Sequence, residues 1–184
     1  MREALRLLEQ DGLVHSFPRR GAIVVTMPED EIEAFSALRA EIEARAFARA
    51  AERITDEDIK RLAEILHDLR AALDAGDEEA ITAADLRFHR GVLELSGYTH
   101  LRRVWSALEG PLRLRVLQFA EGSRSSGMPM RDVDERYSHA VLLDALKRRD
   151  AAAAATAARG HVLDVQESVR ALSDAEARAI TGAR

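Results

Sequence analysis

The sequence predicts an all-α fold, an antiparallel helical bundle preceded by a short helix and a β-hairpin. Three observations carry this. Apolar residues recur at helical spacing from Glu29 almost to the C-terminus. Aromatics make up only 4% of the 184 residues and alanine is abundant, so the core must be built from small and aliphatic side chains, which suits close-packed helices. One short stretch breaks the helical period. Leu13–Phe17 and Ala22–Thr26 are β-compatible and flank Pro18-Arg19-Arg20-Gly21, with proline early and glycine late as a turn requires.

Composition narrows the class. Hydrophobic residues are 47% and charged residues 32%, a globular balance. Cysteine is absent, which excludes disulfides and thiolate sites and leaves nitrogen and oxygen as the only metal donors. No apolar run reaches the roughly 18 residues that span a bilayer, and no signal-peptide pattern opens the chain, so a cytoplasmic location without membrane contact is expected. A net charge of −5 argues against coating nucleic acid with the whole surface but leaves room for a local basic patch.

In chain order, residues 2–11 are amphipathic: Leu5 and Leu8 share a face with Ala4 and Leu7 beside them, and Gly12 follows as a C-cap. The hairpin comes next with Arg19 and Arg20 at its tip. Met27-Pro28 punctuates the chain and divides it into residues 1–28 and 29–184. A long helix is expected over 29–53, its buried stripe including Ile32, Phe35, Leu38, Ile42 and Phe47. Thr55 with Asp58 resembles a capping box and opens a helix to about Ala75, ended by Gly76. Helices over 77–95, closed by Gly97, and 99–120 follow, the latter broken or kinked at Gly110-Pro111. Residues 121–130, with Gly122, Ser123, Ser125, Ser126, Gly127 and Pro129, read as a mobile loop able to cover a cavity. Helices over 131–149 and 151–172 complete the bundle, with a turn at Arg149-Asp150. The alanine run 151–155 permits very close helix approach.

Asp85 and His89 stand at i and i+4 on one helix, so a carboxylate and an imidazole share a face one turn apart. His139 and His161 lie each about eleven residues from the turn at 149–150, so folding those helices together brings both to one level. The competing reading is an ordinary surface pair; the symmetry of the two later histidines brings the metal reading level with it. Three neutral imidazoles and a carboxylate suit a divalent transition metal, Zn, Ni, Mn or Fe, over Ca or Mg.

Two stretches carry a family resemblance. Arg2-Glu3-Ala4-Leu5-Arg6-Leu7-Leu8-Glu9-Gln10-Asp11-Gly12-Leu13-Val14, with Pro18-Arg19-Arg20-Gly21-Ala22, resembles the end of the winged helix-turn-helix of GntR-family transcriptional regulators, namely a recognition helix and its wing. The remainder resembles the FCD effector domain of the FadR subfamily in Leu38-Arg39 with Glu43, Asp85-x-x-Phe88-His89, His139 with Asp150 closing its helix, and His161. The resemblance covers nearly the whole chain. It implies a helical bundle that binds a small carboxylate metabolite beside a metal at Asp85, His89, His139 and His161. It further implies a homodimer whose binding to operator DNA responds to the metabolite. The chain departs from the pattern at Ser138, where the family often has Glu, and at Tyr98, where Asn is common. The two helices that usually precede the recognition helix are not seen, and Met1 stands where valine is usual. The expectation is a gene start about 40–50 residues upstream, with GTG taken as the start codon and with operator binding requiring the upstream helices. A truncated paralogue that does not bind DNA is the alternative.

On this resemblance Arg2 and Arg6 are the DNA-contact candidates of the helix, and Arg19 and Arg20 those of the wing tip. A solvated surface is the plainer reading, since Glu3, Glu9 and Asp11 largely cancel them. Arg39 is a candidate carboxylate anchor, or else an intrahelical partner of Glu43. Arg113 and its neighbour Arg115 are expected to face the same cavity. Trp105 reads as core; His15, His67 and His100 read as surface. An open metal position could also activate water. No Glu sits beside a ligand as in His-Glu-x-x-His, so the regulator is preferred, with a metal-dependent enzyme or a non-DNA-binding helical interaction module as the alternatives.

Overall fold

The computed structural model describes residues 2–10, 12–17, 20–25, 27–125 and 139–182. Helix α1 (Arg2–Gln10) ends where Gly12 adopts φ 70°, a left-handed conformation that glycine takes without steric cost. Strand β1 (Val14–Phe17) pairs antiparallel with β2 (Gly21–Val24), His15 opposite Ile23. Leu13 knits this unit together. Its N–H donates to Leu8 O at 2.9 Å and its carbonyl accepts from Val25 N at 2.9 Å.

The bundle contains α2 (Glu29–Ala51), α3 (Asp56–Ala75), α4 (Glu78–Ser96), α5 (Thr99–Ser125), α6 (His139–Lys147) and α7 (Ala151–Gly182). Its ends follow local chemistry. Thr55 and Asp58 form the reciprocal capping box, and Asp77 accepts from Ala80 N. Between α6 and α7 the chain turns at Arg149, φ 54°, and Asp150 Oδ1 caps α7 by accepting from Ala153 N at 2.9 Å. Among the described residues no helix is long and apolar enough to cross a membrane.

Alanine decides how the layers meet. Ala50, Ala154 and Ala158 are all fully buried and share one cluster. With no long side chains to hold them apart, α2 and α7 run antiparallel in close contact, which Ser36–Gln166 and Glu41–Arg159 hydrogen bonds register. The main core joins Phe47, Phe88, Val92, Leu142 and Leu146 to this seam. A second cluster of Ile42, Leu86, Leu93, Trp105 and Leu112 packs α5 on α2 and α4. The hairpin unit reaches the bundle where the Leu13 side chain lies on Gly110; a Cβ there would stand 3.3 Å from Leu13 Cδ1.

Three expectations change. Helix α5 does not break at Gly110-Pro111. Proline removes one ladder bond, and the burial of Trp105 and Leu112 on either side holds the helix together. Helix α5 also runs through Ser125, so the first half of the expected 121–130 loop is helical; a lone glycine costs a helix only about 1 kcal/mol. Residues 126–130 and the first part of the expected 131–149 helix fall outside the described residues. Leu38 is 50% exposed, because α2 buries Ser36, Arg39, Ala40 and Glu43 instead.

Leu146 is fully buried among these side chains. Leu146→Ala should cost about 2–5 kcal/mol, read as a lowered urea midpoint, and a change under about 1 kcal/mol would mean that the core had been misplaced.

Candidate metal centre

Helix α4 presents Asp85 and His89 from one face, α6 opens on His139, and α7 supplies His161. One donor atom from each of the four lies within 4.8 Å of all the others. His89 Nε2 stands 3.3 Å from His139 Nε2, and His139 Nε2 stands 3.0 Å from Asp85 Oδ1. The His139 and His161 rings are 4.6 Å apart by centroid. Donors set side by side around an ion at about 2.1 Å lie roughly 3.0–3.4 Å from one another. The two short separations match that spacing. Asp85 Oδ2 is buried with no hydrogen-bond partner among the described residues, an acceptor for which the protein itself supplies no donor. The residues fit a divalent transition metal.

Behind the cluster sits Glu43, completely buried. Its Oε2 lies 2.7 Å from His89 Nδ1, and its Oε1 accepts from Arg39 Nε at 2.6 Å and from Trp105 Nε1 at 3.2 Å. An ionised carboxylate only accepts, so the Nδ1 proton faces it and His89 Nε2 turns a lone pair toward the cluster. Burial by itself would raise both acids. Arg39 and His89 outweigh it at Glu43, and His139, His89 and Arg39 outweigh it at Asp85, so both are held far below the usual carboxylate range. Burial pushes His161 well below 6.5, with His139, His89 and Arg39 adding and Asp85 opposing.

The structure thus brings Asp85, His89, His139 and His161 together. Arg39 is the intrahelical partner of Glu43, and its Nη2 comes within 3.5 Å of His89 Nε2. Arg113 is corrected. It is exposed and bonded to Glu79 at 3.3 Å, and the arginine of α5 that lines the cavity beside Arg39 is Arg115. Glu43 and the Trp105 N–H are the residues sequence reasoning missed as site components. In the hairpin unit Arg6 is exposed and paired with Glu3 at 2.6 Å, and Arg20 is exposed. The backbone of Arg2 lies in α1 but its side chain falls outside the description, as does all of Arg19.

A helix and two-stranded hairpin leading into a bundle that gathers one carboxylate and three imidazoles defines a class, the GntR-type transcriptional regulators with a helical effector domain. The chain belongs to the FCD-domain family, whose model matches residues 34–164. The HTH-type transcriptional repressor RspR of Escherichia coli is 26% identical over 174 residues, 92% of this chain and 72% of that protein. The gluconate operon transcriptional repressor of Bacillus subtilis is 22% identical over 177 residues, 94% of this chain and 70% of that protein. Among solved structures, Escherichia coli McbR/YncC matches with a TM-score of 0.75 at 22% identity, over 95% of this chain and 83% of that one. Streptococcus agalactiae GntR matches at 0.60 and 21% identity, over 91% and 80%. At these identities the structural likeness shows the fold. The chain is a transcriptional regulator of this family.

Glu43, Asp85 and His161 all bind fewer protons folded than unfolded, so their contribution is complete at neutral pH and is lost on acidification. The loss begins below about pH 6.5 through His161 and deepens below about pH 4.5 through the two acids. Chelator-treated protein should show this two-stage fall in melting temperature, and His161→Ala should lack the first stage. A melting temperature that stays flat between about pH 7 and pH 5 would contradict a neutral His161 in the folded state.

Proposed function

We propose that this regulator holds a divalent transition metal, Zn, Ni, Mn or Fe, at Asp85, His89, His139 and His161, and that a small carboxylate bound there controls its hold on operator DNA. The observation that carries this is the convergence of four donor atoms from α4, α6 and α7 within 4.8 Å, backed by a carboxylate on the far nitrogen of His89. Bound metal supplies a Lewis-acidic position for a carboxylate oxygen. Arg39 offers the remaining guanidinium N–H groups beside it, already oriented by Glu43. One relative's name ties it to the operon of gluconate, a small carboxylate, which supports the ligand class. The negative charge of the whole chain confines DNA contact to the helix and hairpin unit, where Arg2, Arg6, Arg19 and Arg20 are the cations in reach. Residues 1–28 form the DNA-contacting part and 29–184 the effector part. A two-fold homodimer matches the palindromic sites such regulators read.

A bound metal stabilises the fold by mass action, so a chelator should lower the melting temperature. His89→Ala and His161→Ala should each abolish that response; an unchanged response in both would remove these residues from the site. Sedimentation at micromolar concentration should show a dimer, and a monomer would contradict the two-fold reading.

Anisotropy on DNA from the gene's own upstream region should show an affinity that a small carboxylate changes by about 5–150-fold, the usual range of coupling between two sites. Asp85→Ala should remove the ligand response, because Asp85 lies in the bundle and not in the hairpin. A response that survives in Asp85→Ala overturns the metal-centred switch.

A further inference from the structure

A small cavity of about 50 Å³ lies between α2, α5 and α7, with Ser36, Arg39, Arg115 and Gln166 among its walls. It adjoins the histidine cluster, because Arg39 belongs to both and Val162 of its wall follows His161 in the chain. Arg115 is half-buried there. Its hydrogen bond among the described residues runs from Nη2 to Gln166 Oε1 at 2.9 Å, an oxygen that also accepts from Ser36 Oγ at 3.0 Å. No carboxylate pairs with it among the described residues. The contrast with its neighbours is sharp. Arg39 has Glu43, Arg90 has Glu109, and Arg159 has Glu41. Burial lowers the Arg115 pKa, Glu29 opposes that, and the nearby positive charge of Arg39 adds to it. A guanidinium does not neutralise in a protein, so a half-buried one beside a second arginine is most favourable with an anion against it.

We propose that this cavity is a second anion subsite and that the effector is a short dicarboxylate. One acid group is held at the histidine cluster beside Arg39. The other is held by the fork of Arg115, with the Ser36 hydroxyl and the Gln166 amide as further donors. Phe35, Leu112, Val116 and Val162 give the link between the two groups an apolar wall. A cavity of about 50 Å³ has room for a few water molecules and so for a carboxylate head on a short link. The subsite rests on the metal and carboxylate reading above.

Calorimetric titration of the zinc-loaded full chain separates the two ideas. Succinate and malonate should bind about tenfold or more tighter than butyrate and propanoate, the worth of one charge-assisted pair. In Arg115→Gln the preference for two acid groups should collapse, with the mono-acid affinity changed far less. Ser36→Ala, which leaves both arginines in place, should reduce the preference in part. Mono- and dicarboxylates binding the unmutated chain equally overturn the subsite while leaving the carboxylate reading intact. Failure of all four acids to bind the zinc-loaded chain defeats the carboxylate reading and the subsite together.

Discussion

Glu43 is the interaction on which the rest of the bundle depends. A fully buried carboxylate is costly unless it is paired, and here three helices supply its partners. Arg39 reaches it from its own helix, His89 from α4 and Trp105 from α5. The carboxylate therefore fixes the spacing of α2, α4 and α5 and, through His89 Nδ1, decides which imidazole nitrogen is left to face Asp85 and His139. Removal of Glu43 would strand Arg39 as a buried cation and free the ring of His89 to turn. Stability of the core and preorganisation of the site thus rest on the same two oxygens.

The alanine seam between α2 and α7 complements this. Ala50, Ala154 and Ala158 bring the two backbones together, and that approach sets Ser36 against Gln166 and carries His161 up to the rings of His89 and His139. Larger residues on the seam would pull one histidine out of reach of the others. A composition rich in alanine and poor in rings is therefore part of how the centre is assembled.

Sequence spacing carried the four cluster residues well, because each relation was local. Asp85 and His89 are one helical turn apart, and His139 and His161 are placed by their distances from a turn that Arg149 makes with positive φ. Arg39 and Glu43 were likewise legible as an i,i+4 pair. The contacts of Glu43 with His89 and Trp105 are not, since they depend on how helices distant in sequence are phased against each other. The placing of Arg113 in the cavity together with Arg115 failed for a related reason. With Gly110-Pro111 taken as a break, the phase of α5 could not be carried across it. The helix is continuous, so the stripe of Trp105, Leu108, Leu112 and Val116 runs on, and Arg115, three residues from Leu112, shares it. Arg113 falls on the outer face with its Glu79 partner.

The contact of Leu13 with Gly110 links two positions far apart in the chain. Glycine is the only residue at 110 that leaves Leu13 where it is, since even one methyl group would press on it at 3.3 Å. Among descendants of this sequence, a larger residue at 110 asks Leu13 to shift or to shrink. The two positions should drift together, as a correlated pair joining a hairpin to a bundle that otherwise evolve under separate demands.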